Sequence, residues 1–432
     1  MVWRTFFSRQ PPKKPIANRF FGFLFLVAVV ITVGTASAQE SVKESRAVTE
    51  SQAVELLLRQ QAHTDRWEAR VAASEADRII ARAFPNPTLG YQREQLFSDP
   101  GQFEETIELE QRLPVSGRRG LETRAAGSTA RATAADVRNE QRQMRRRIRE
   151  LFYELLYQQR VVEIHEQSLL RLQESIEVME RRVDAGESSP YELERLRREE
   201  AEIAATLDTY LAQLESERIV FASWLGFAPM DDTIIEARGR LLPDELPAEK
   251  EVGDAIAAHP EIVATEHRID AFEFEGDAAA RWWIPDLVVR GGIKREGRGD
   301  SRELGVEFGL FADIPIFYRG QGHQDQARAW TIQARSQRQW NEEMMTARAL
   351  GLLHQTRRLA ETTVTYREDS VDGARRVMGL AEQSYEAGEA GLLELLDAHH
   401  SLLDARLREL ELSAQTRRTH IELLSLIESE EE

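Results

Sequence analysis

Glu394 and Asp397 lie three residues apart in a stretch of helical character, which puts both carboxylates on one helix face. Such a pair attracts cations, and the solvated face of an acidic helix presents the same pattern. His399-His400 follow one turn later. None of the nine histidines forms His-Glu-x-x-His or another closed ligand spacing, so no metal centre or cofactor is expected. The sequence holds no Gly-rich phosphate loop and no nucleophile elbow. With no cysteine at all, a disulfide scaffold, thiolate catalysis and a lipid-modified N-terminal Cys are excluded. Arg142, Arg145, Arg146, Arg147 and Arg149 form a basic run, but Glu140, Glu150 and Glu154 sit among them, and pairing along one helix accounts for them. The chemistry on offer is electrostatic, and the chain does not read as an enzyme.

The N-terminus reads as a signal for export. Arg4, Arg9, Lys13, Lys14 and Arg19 precede an apolar stretch from Phe20 to Val33, and Ala36-Ser37-Ala38 follows as a cleavage pattern. Those 14 apolar residues fall short of the roughly 20 a bilayer span requires, which favours a signal peptide over residues 1–38 against an anchor. Losing it takes the formal net charge from −18 to −23. A body that acidic repels phosphate backbones, so nucleic acid is not an expected partner. No later stretch is apolar enough for a transmembrane helix. If the exported chain enters a membrane, a β-barrel is the form left to it.

The elements that would position these residues occur twice. Asn86-Pro87-Thr88-Leu89 aligns with Ile284-Pro285-Asp286-Leu287, Leu113-Pro114 with Ile314-Pro315, Ala185-Gly186-Glu187 with Ala387-Gly388-Glu389, and Glu192 with Glu394. The offsets are 198, 201, 202 and 202, and four markers in register indicate two copies of one unit. The copies span 39–225 and 251–428, joined by the Pro-rich linker 226–250, with an acidic tail at 429–432. Each copy predicts a helical lead-in (49–83 and 250–281, the first opened by Thr49 and Ser51) and two alternating segments (87–95 and 103–113; 285–295 and 303–314). A very long helix follows (118–184 and 320–386), and a return helix closes each copy (189–225 and 391–428). Val162, His165, Leu169, Leu172, Ile176, Met179 and Val183 step by three and four, the spacing of a coiled-coil seam. Sixty-seven residues make a rod on the order of 100 Å at about 1.5 Å per residue, too long for a compact globule.

In the alternating segments Ile107, Leu109 and Leu113 oppose Glu108, Glu110 and Arg112. Val306, Phe308, Leu310, Ala312 and Ile314 oppose Glu307, Gly309, Phe311 and Asp313. Period-two alternation fits strands with lipid on one side and water on the other, and it equally fits an amphipathic hairpin on a soluble core. Four strands are too few for a membrane barrel of roughly eight or more, and open edges in lipid are not tolerated. Three identical chains would supply twelve strands and close it by symmetry. Gly186 and Gly388 suit tight turns between long helices, and Pro114 and Pro315 fall where strands give way to helices.

On Asn86-Pro87-Thr88-Leu89, on the run Leu109-Glu110-Gln111-Arg112-Leu113-Pro114-Val115-Ser116-Gly117-Arg118-Arg119, and on Ser384-Tyr385-Glu386-Ala387-Gly388-Glu389, the chain resembles the TolC-like outer membrane efflux protein family over about residues 48–428. The Leu-Glu-Gln-x-Leu-Pro…Gly-x-Arg pattern is most similar to its heavy-metal cation branch, served by pumps of the resistance-nodulation-division type. The resemblance implies an α+β membrane protein of the Gram-negative outer membrane, in contact with its lipid. Long helical hairpins would form a periplasmic tunnel, and four strands per chain would complete a twelve-stranded homotrimeric barrel. It implies a passive duct that docks on a periplasmic adaptor and, through it, an inner-membrane pump. It further implies adaptor contacts at the tips around Gly186 and Gly388, and an entrance lined by Glu394 and Asp397, six carboxylates in the trimer. Tyr385 would hydrogen-bond the acid at Glu192. Ala390 stands where the family has a basic partner, with Arg182 or Arg195 as candidate replacements. A duct for type I protein secretion and a soluble periplasmic coiled-coil adaptor or scaffold are the alternative readings. Carbonate washing separates the last from the rest: a barrel stays with the outer-membrane fraction, whereas recovery in the wash would mark a scaffold.

Overall fold

The computed structural model describes residues 45–95, 98, 102–228 and 234–428. The expected signal peptide and the acidic tail lie outside these residues. In chain order the elements are β1 (Ser45–Val48), α1 (Glu50–Leu58), α2 (Gln61–Arg82), β2 (Thr88–Gln95), β3 (Gln102–Leu113), α3 (Arg118–Asp184) and α4 (Pro190–Trp224), then β4 (Ile234–Ala237), α5 (Glu249–Ala257), α6 (Pro260–Ala279), β5 (Leu287–Arg298) and β6 (Ser301–Ala312). The second long helix follows as α7 (Gln321–Tyr366), a π-helical turn (Arg367–Val371) and α8 (Asp372–Glu386), and α9 (Leu392–Ile427) ends the described chain.

Three predicted helices are subdivided. The first lead-in breaks at Gln60, whose backbone is extended and whose Nε2 donates to Trp224 O at 2.6 Å. Thr49 caps α1 with Gln52 in a capping box, so Thr49 and not Ser51 is the cap. The second lead-in breaks at His259-Pro260, with His259 as N-cap and Pro260 in the first turn. The third break is the π-turn. Below it the residues buried on α7 include Ala349, Thr356 and Thr363; Val371 is buried at the end of the turn itself, and Met378 and Tyr385 are buried above it. The spacing is seven, seven, eight, seven and seven. One wide turn absorbs the extra residue and keeps α8 facing α9. On α3 the expected seam runs unbroken, with Val162, His165, Leu172, Ile176 and Met179 buried.

The linker also contains structure that composition concealed. β4 pairs in parallel with β1, Ser45 opposite Ile234 through Val48 opposite Ala237. Val48, Ile235, Ala237 and Leu241 join Leu57, Ile148, Phe152, Leu155 and Phe221 in one hydrophobic core. Arg417 pins the chain that follows: its Nε donates to Leu241 O at 2.6 Å and its Nη2 to Arg240 O at 2.9 Å and Leu242 O at 2.8 Å. Arg149 forms a two-pronged pair with Glu428 at 2.5 and 2.6 Å, and its Nε meets Glu50 at 2.8 Å. Both ends of the described chain are thereby tied to α3.

The second sheet is antiparallel in the order β2-β3-β5-β6. Its pairing runs without a bulge from Thr88 opposite Glu110 to Arg298 opposite Ser301, so residue parity decides the face throughout. One face carries Leu89, Tyr91, Ile107, Leu109, Ile293, Val306, Phe308 and Leu310, all more than half exposed in the single chain. The other carries Glu108 and Glu110 bridged to Arg290, and Glu104 and Glu296 bridged to Lys294. Among the described residues β2 and β6 are edges without a partner strand. Among the described residues no helix is long and apolar enough to cross a membrane.

Both strand-to-helix passages use glycine. Gly117 and Gly320 are the N-caps of α3 and α7, at φ of 70° and 86°. A Cβ on Gly320 would sit 2.6 Å from both Ala279 O and Trp282 Cβ. Gly320→Ala should therefore cost about 1–3 kcal/mol from the backbone alone. Gly253→Ala, in open space inside α5, should add up to about 1 kcal/mol of helix stability. Urea unfolding of the purified variants measures both signs. Acid acts through His420, which burial, with Arg417 and Arg149 nearby, pushes down to about 4. Its neutral form is the one that folds. The stability it contributes is complete above about pH 6.5 and is lost as pH falls toward 4. Burial, with Arg142 nearby, pushes His259 down to about 4 as well, so His420→Gln should make that acid limb shallower in thermal melts without removing it.

Candidate functional site

The two hairpin ends are built alike from sequence upward. α3 ends with Ala185 and then Gly186 at φ 78°; Glu187 N–H donates to Arg182 O at 2.8 Å and Gly186 N–H to Val183 O at 3.0 Å. α8 ends with Ala387 and then Gly388 at φ 77°, with Glu389 N–H to Ser384 O at 2.8 Å and Gly388 N–H to Tyr385 O at 3.1 Å. These are paired Schellman closures, which a left-handed glycine makes possible. Each return helix then opens on its third residue: Glu192 accepts the N–H of Ser189 at 3.3 Å, and Glu394 accepts that of Gly391. Ser189 completes the first box by accepting from Tyr191 N–H at 3.2 Å, with Pro190 at the first helical position.

Glu394 and Asp397 share an exposed face of α9, while the alternate face buries Leu392, Leu395, Leu396 and Ala398. That buried face packs with Leu172, Met179, Leu196, Met378 and Tyr385. The structure thus places both acids on one side, and it gives Glu394 a capping role that sequence reasoning missed. The signal was present, since glutamate three residues past a helix start is the capping-box pattern.

Tyr385 is 4% exposed. Its hydroxyl donates to Met179 Sδ at 3.4 Å, and the carboxylate of Glu192 is engaged at Ser189, so within one chain the expected hydrogen bond is replaced by these two. Burial raises the pKa of Tyr385, Arg182 opposes the shift and Glu192 adds to it, which places both charges within electrostatic reach of the ring. Arg182 is the basic group brought to Tyr385: its Nη1 donates to Tyr385 O at 2.9 Å and its guanidinium lies 5.3 Å from the ring centroid. Arg195 is exposed on α4. Arg171 with Glu382 at 3.4 Å and His400 with Glu199 at 2.7 Å add cross-links between the two hairpins. These pairs join positions about 200 residues apart, beyond the reach of any local pattern.

His399 is buried, its Nε2 on Ser168 O at 3.0 Å, and burial lowers its pKa. Among the described residues no group of three or more potential ligands is placed to hold a metal ion. The arginine run is paired as expected in part, Arg146 with Glu150 at 2.8 Å and Arg147 with Glu150 at 3.3 Å, whereas Arg149 reaches Glu428. Pro114 directly follows β3, and Pro315 stands three residues past β6, both ahead of the glycine-capped helices.

The model of the outer membrane efflux protein family matches residues 53–226 and again 252–428. The cobalt-zinc-cadmium resistance protein CzcC of Cupriavidus metallidurans is 28% identical over 352 residues, covering 80% of this chain and 81% of its own length. Among solved structures, the outer membrane protein VceC of Vibrio cholerae superposes with a TM-score of 0.72 at 18% identity, over 88% of this chain and 95% of that one. CusC gives 0.72 at 17% identity over 88% and 91%. The outer-membrane channel OprN gives 0.70 at 20% over 88% and 89%.

The two functions open to Glu394 separate by substitution. Glu394→Ala should speed amide exchange of Gly391 and the first turn of α9, at a cost of about 1 kcal/mol. Glu394→Gln, which still offers an acceptor, should leave that exchange unchanged.

Proposed function

The chain belongs to the outer membrane efflux protein family, and from that premise we infer that three copies form a metal-cation duct fed by a resistance-nodulation-division pump. The family makes it an outer-membrane efflux channel, a passive route rather than a catalyst, and the outer-membrane part of a tripartite system with an adaptor and a pump. A soluble scaffold is set aside by that membership.

The sheet carries the trimer. Four strands with an apolar face, a charged face and two unpaired edges fit a barrel wall completed by symmetry: β6 of one chain beside β2 of the next, twelve strands in all. The apolar face meets lipid and the charged face lines the pore. The long hairpins continue the pipe away from the membrane, and their tips at Gly186 and Gly388 meet the adaptor. At the second tip, three copies of Glu394 and Asp397 gather six carboxylates that favour cations over anions. Arg182, through the carbonyl and ring of Tyr385, holds neighbouring hairpin ends together in the closed state. The metal cargo and the pump type rest on the likeness to CzcC, a cobalt-zinc-cadmium resistance protein.

Deleting the gene should sensitise cells to cobalt, zinc or cadmium, with tolerance restored by the full-length chain. In planar bilayers, Glu394→Gln with Asp397→Asn should lower the cation-to-anion permeability ratio several-fold without changing trimer stability. Unchanged metal tolerance alongside lost drug tolerance or lost protein secretion would redirect the cargo, and unchanged selectivity would remove the acidic entrance.

A further inference from the structure

Beyond the apolar band, near the hairpin ends of the sheet, charges are sorted by face. On the face that carries Tyr91, Ile107, Ile293 and Val306, the next row reads Arg93–Glu105–Arg295–Leu304 and the one beyond it Gln95–Phe103–Gly297–Arg302. Three guanidiniums thus stand there against one carboxylate. On the opposite face at the same level, one row places Glu94, Glu104, Glu296 and Glu303 side by side. On that face Lys294 and Arg298 flank the glutamate row, with Lys294 bridging Glu104 and Glu296, so the excess of positive charge lies on the aromatic side.

The basic side is built around an aromatic ring. Phe103 lies flat over Gly297, where a Cβ would come within 2.3 Å of the ring. Arg93 and Arg295 hold their guanidiniums 5.1 and 5.7 Å from its centroid. Glu105 meets Arg93 at 2.8 Å and Arg295 at 3.6 Å, and Tyr91 donates its hydroxyl to the same carboxylate at 3.3 Å. One carboxylate thereby orients two guanidiniums and occupies few of their ten N–H donors. Arg302 stands exposed on the adjacent edge strand.

Arginine on the lipid side of a barrel is costly at mid-membrane and nearly free at the interface. This cluster therefore lies at headgroup height. It is also at the end of the strands remote from the helices, which lie on the periplasmic side, so the headgroups are those of the outer leaflet. Planar, fixed guanidiniums match phosphate by two-pronged hydrogen bonding. We propose that Arg93, Arg295 and Arg302, backed by Phe103, bind the phosphate groups of an outer-leaflet glycolipid at the rim of the barrel.

This site rests on the barrel reading given above, and the test separates the two. Full-length protein in detergent is loaded with lipid A, either phosphorylated or stripped of its phosphates, and bound lipid is counted by native mass spectrometry. Phosphorylated lipid A should bind about tenfold or more tightly than the stripped form, and Arg93→Gln with Arg295→Gln should abolish that preference. Arg302→Gln, which leaves the Glu105 pairs intact, should weaken it in the same direction. A stable trimer that binds both lipids alike, or whose preference survives all three substitutions, overturns the site alone. A chain that stays monomeric with every lipid overturns the barrel and the site with it.

Discussion

A peptide group in hydrocarbon must find its hydrogen bond within protein, and this sheet leaves two edges without one. Those unpaired N–H and C=O groups of β2 and β6 govern the molecule. They forbid a membrane-embedded monomer, and an antiparallel sheet with no bulges and a strict division of faces repeats readily around an axis. The helices answer to the same demand. α3 must start where β3 ends, and glycines at φ near 70–86° turn the chain from sheet to rod in both copies.

The features legible in the sequence were those written as long periods. The four strands of the sheet appear within three residues of the predicted bounds, and α3 occupies the predicted 118–184. What stayed hidden was short or distant. β1 and β4 are four residues each and lie almost 190 residues apart, so no window contains the pair. The break at Gln60 depends on a carbonyl of Trp224, and the placement of Arg182 on Tyr385 depends on two hairpins meeting side by side. The π-turn lay between these extremes. Its eight-residue step between Thr363 and Val371 was present in the sequence but looked like the noise that any apolar seam contains.

At the hairpin ends, folding and the proposed cation selection draw on the same atoms. Glu394 satisfies the backbone N–H that opens α9 while its charge stands on the exposed side, so substitution acts on stability and on electrostatics together. Glutamine serves as the informative replacement because it preserves the acceptor. The same economy holds at Arg182, whose single guanidinium covers an aromatic face and ties down a helix-terminal carbonyl.

The skip in the second long helix breaks an equivalence that the repeat would otherwise impose. Without it, the two units of each chain would reach their ends through helices of the same winding, differing only in the residues that cap the turns. With it, every second end reaches its position through a helix wound once at a wider gauge. In the proposed trimer, a partner that docks on this mouth would meet two alternating kinds of end.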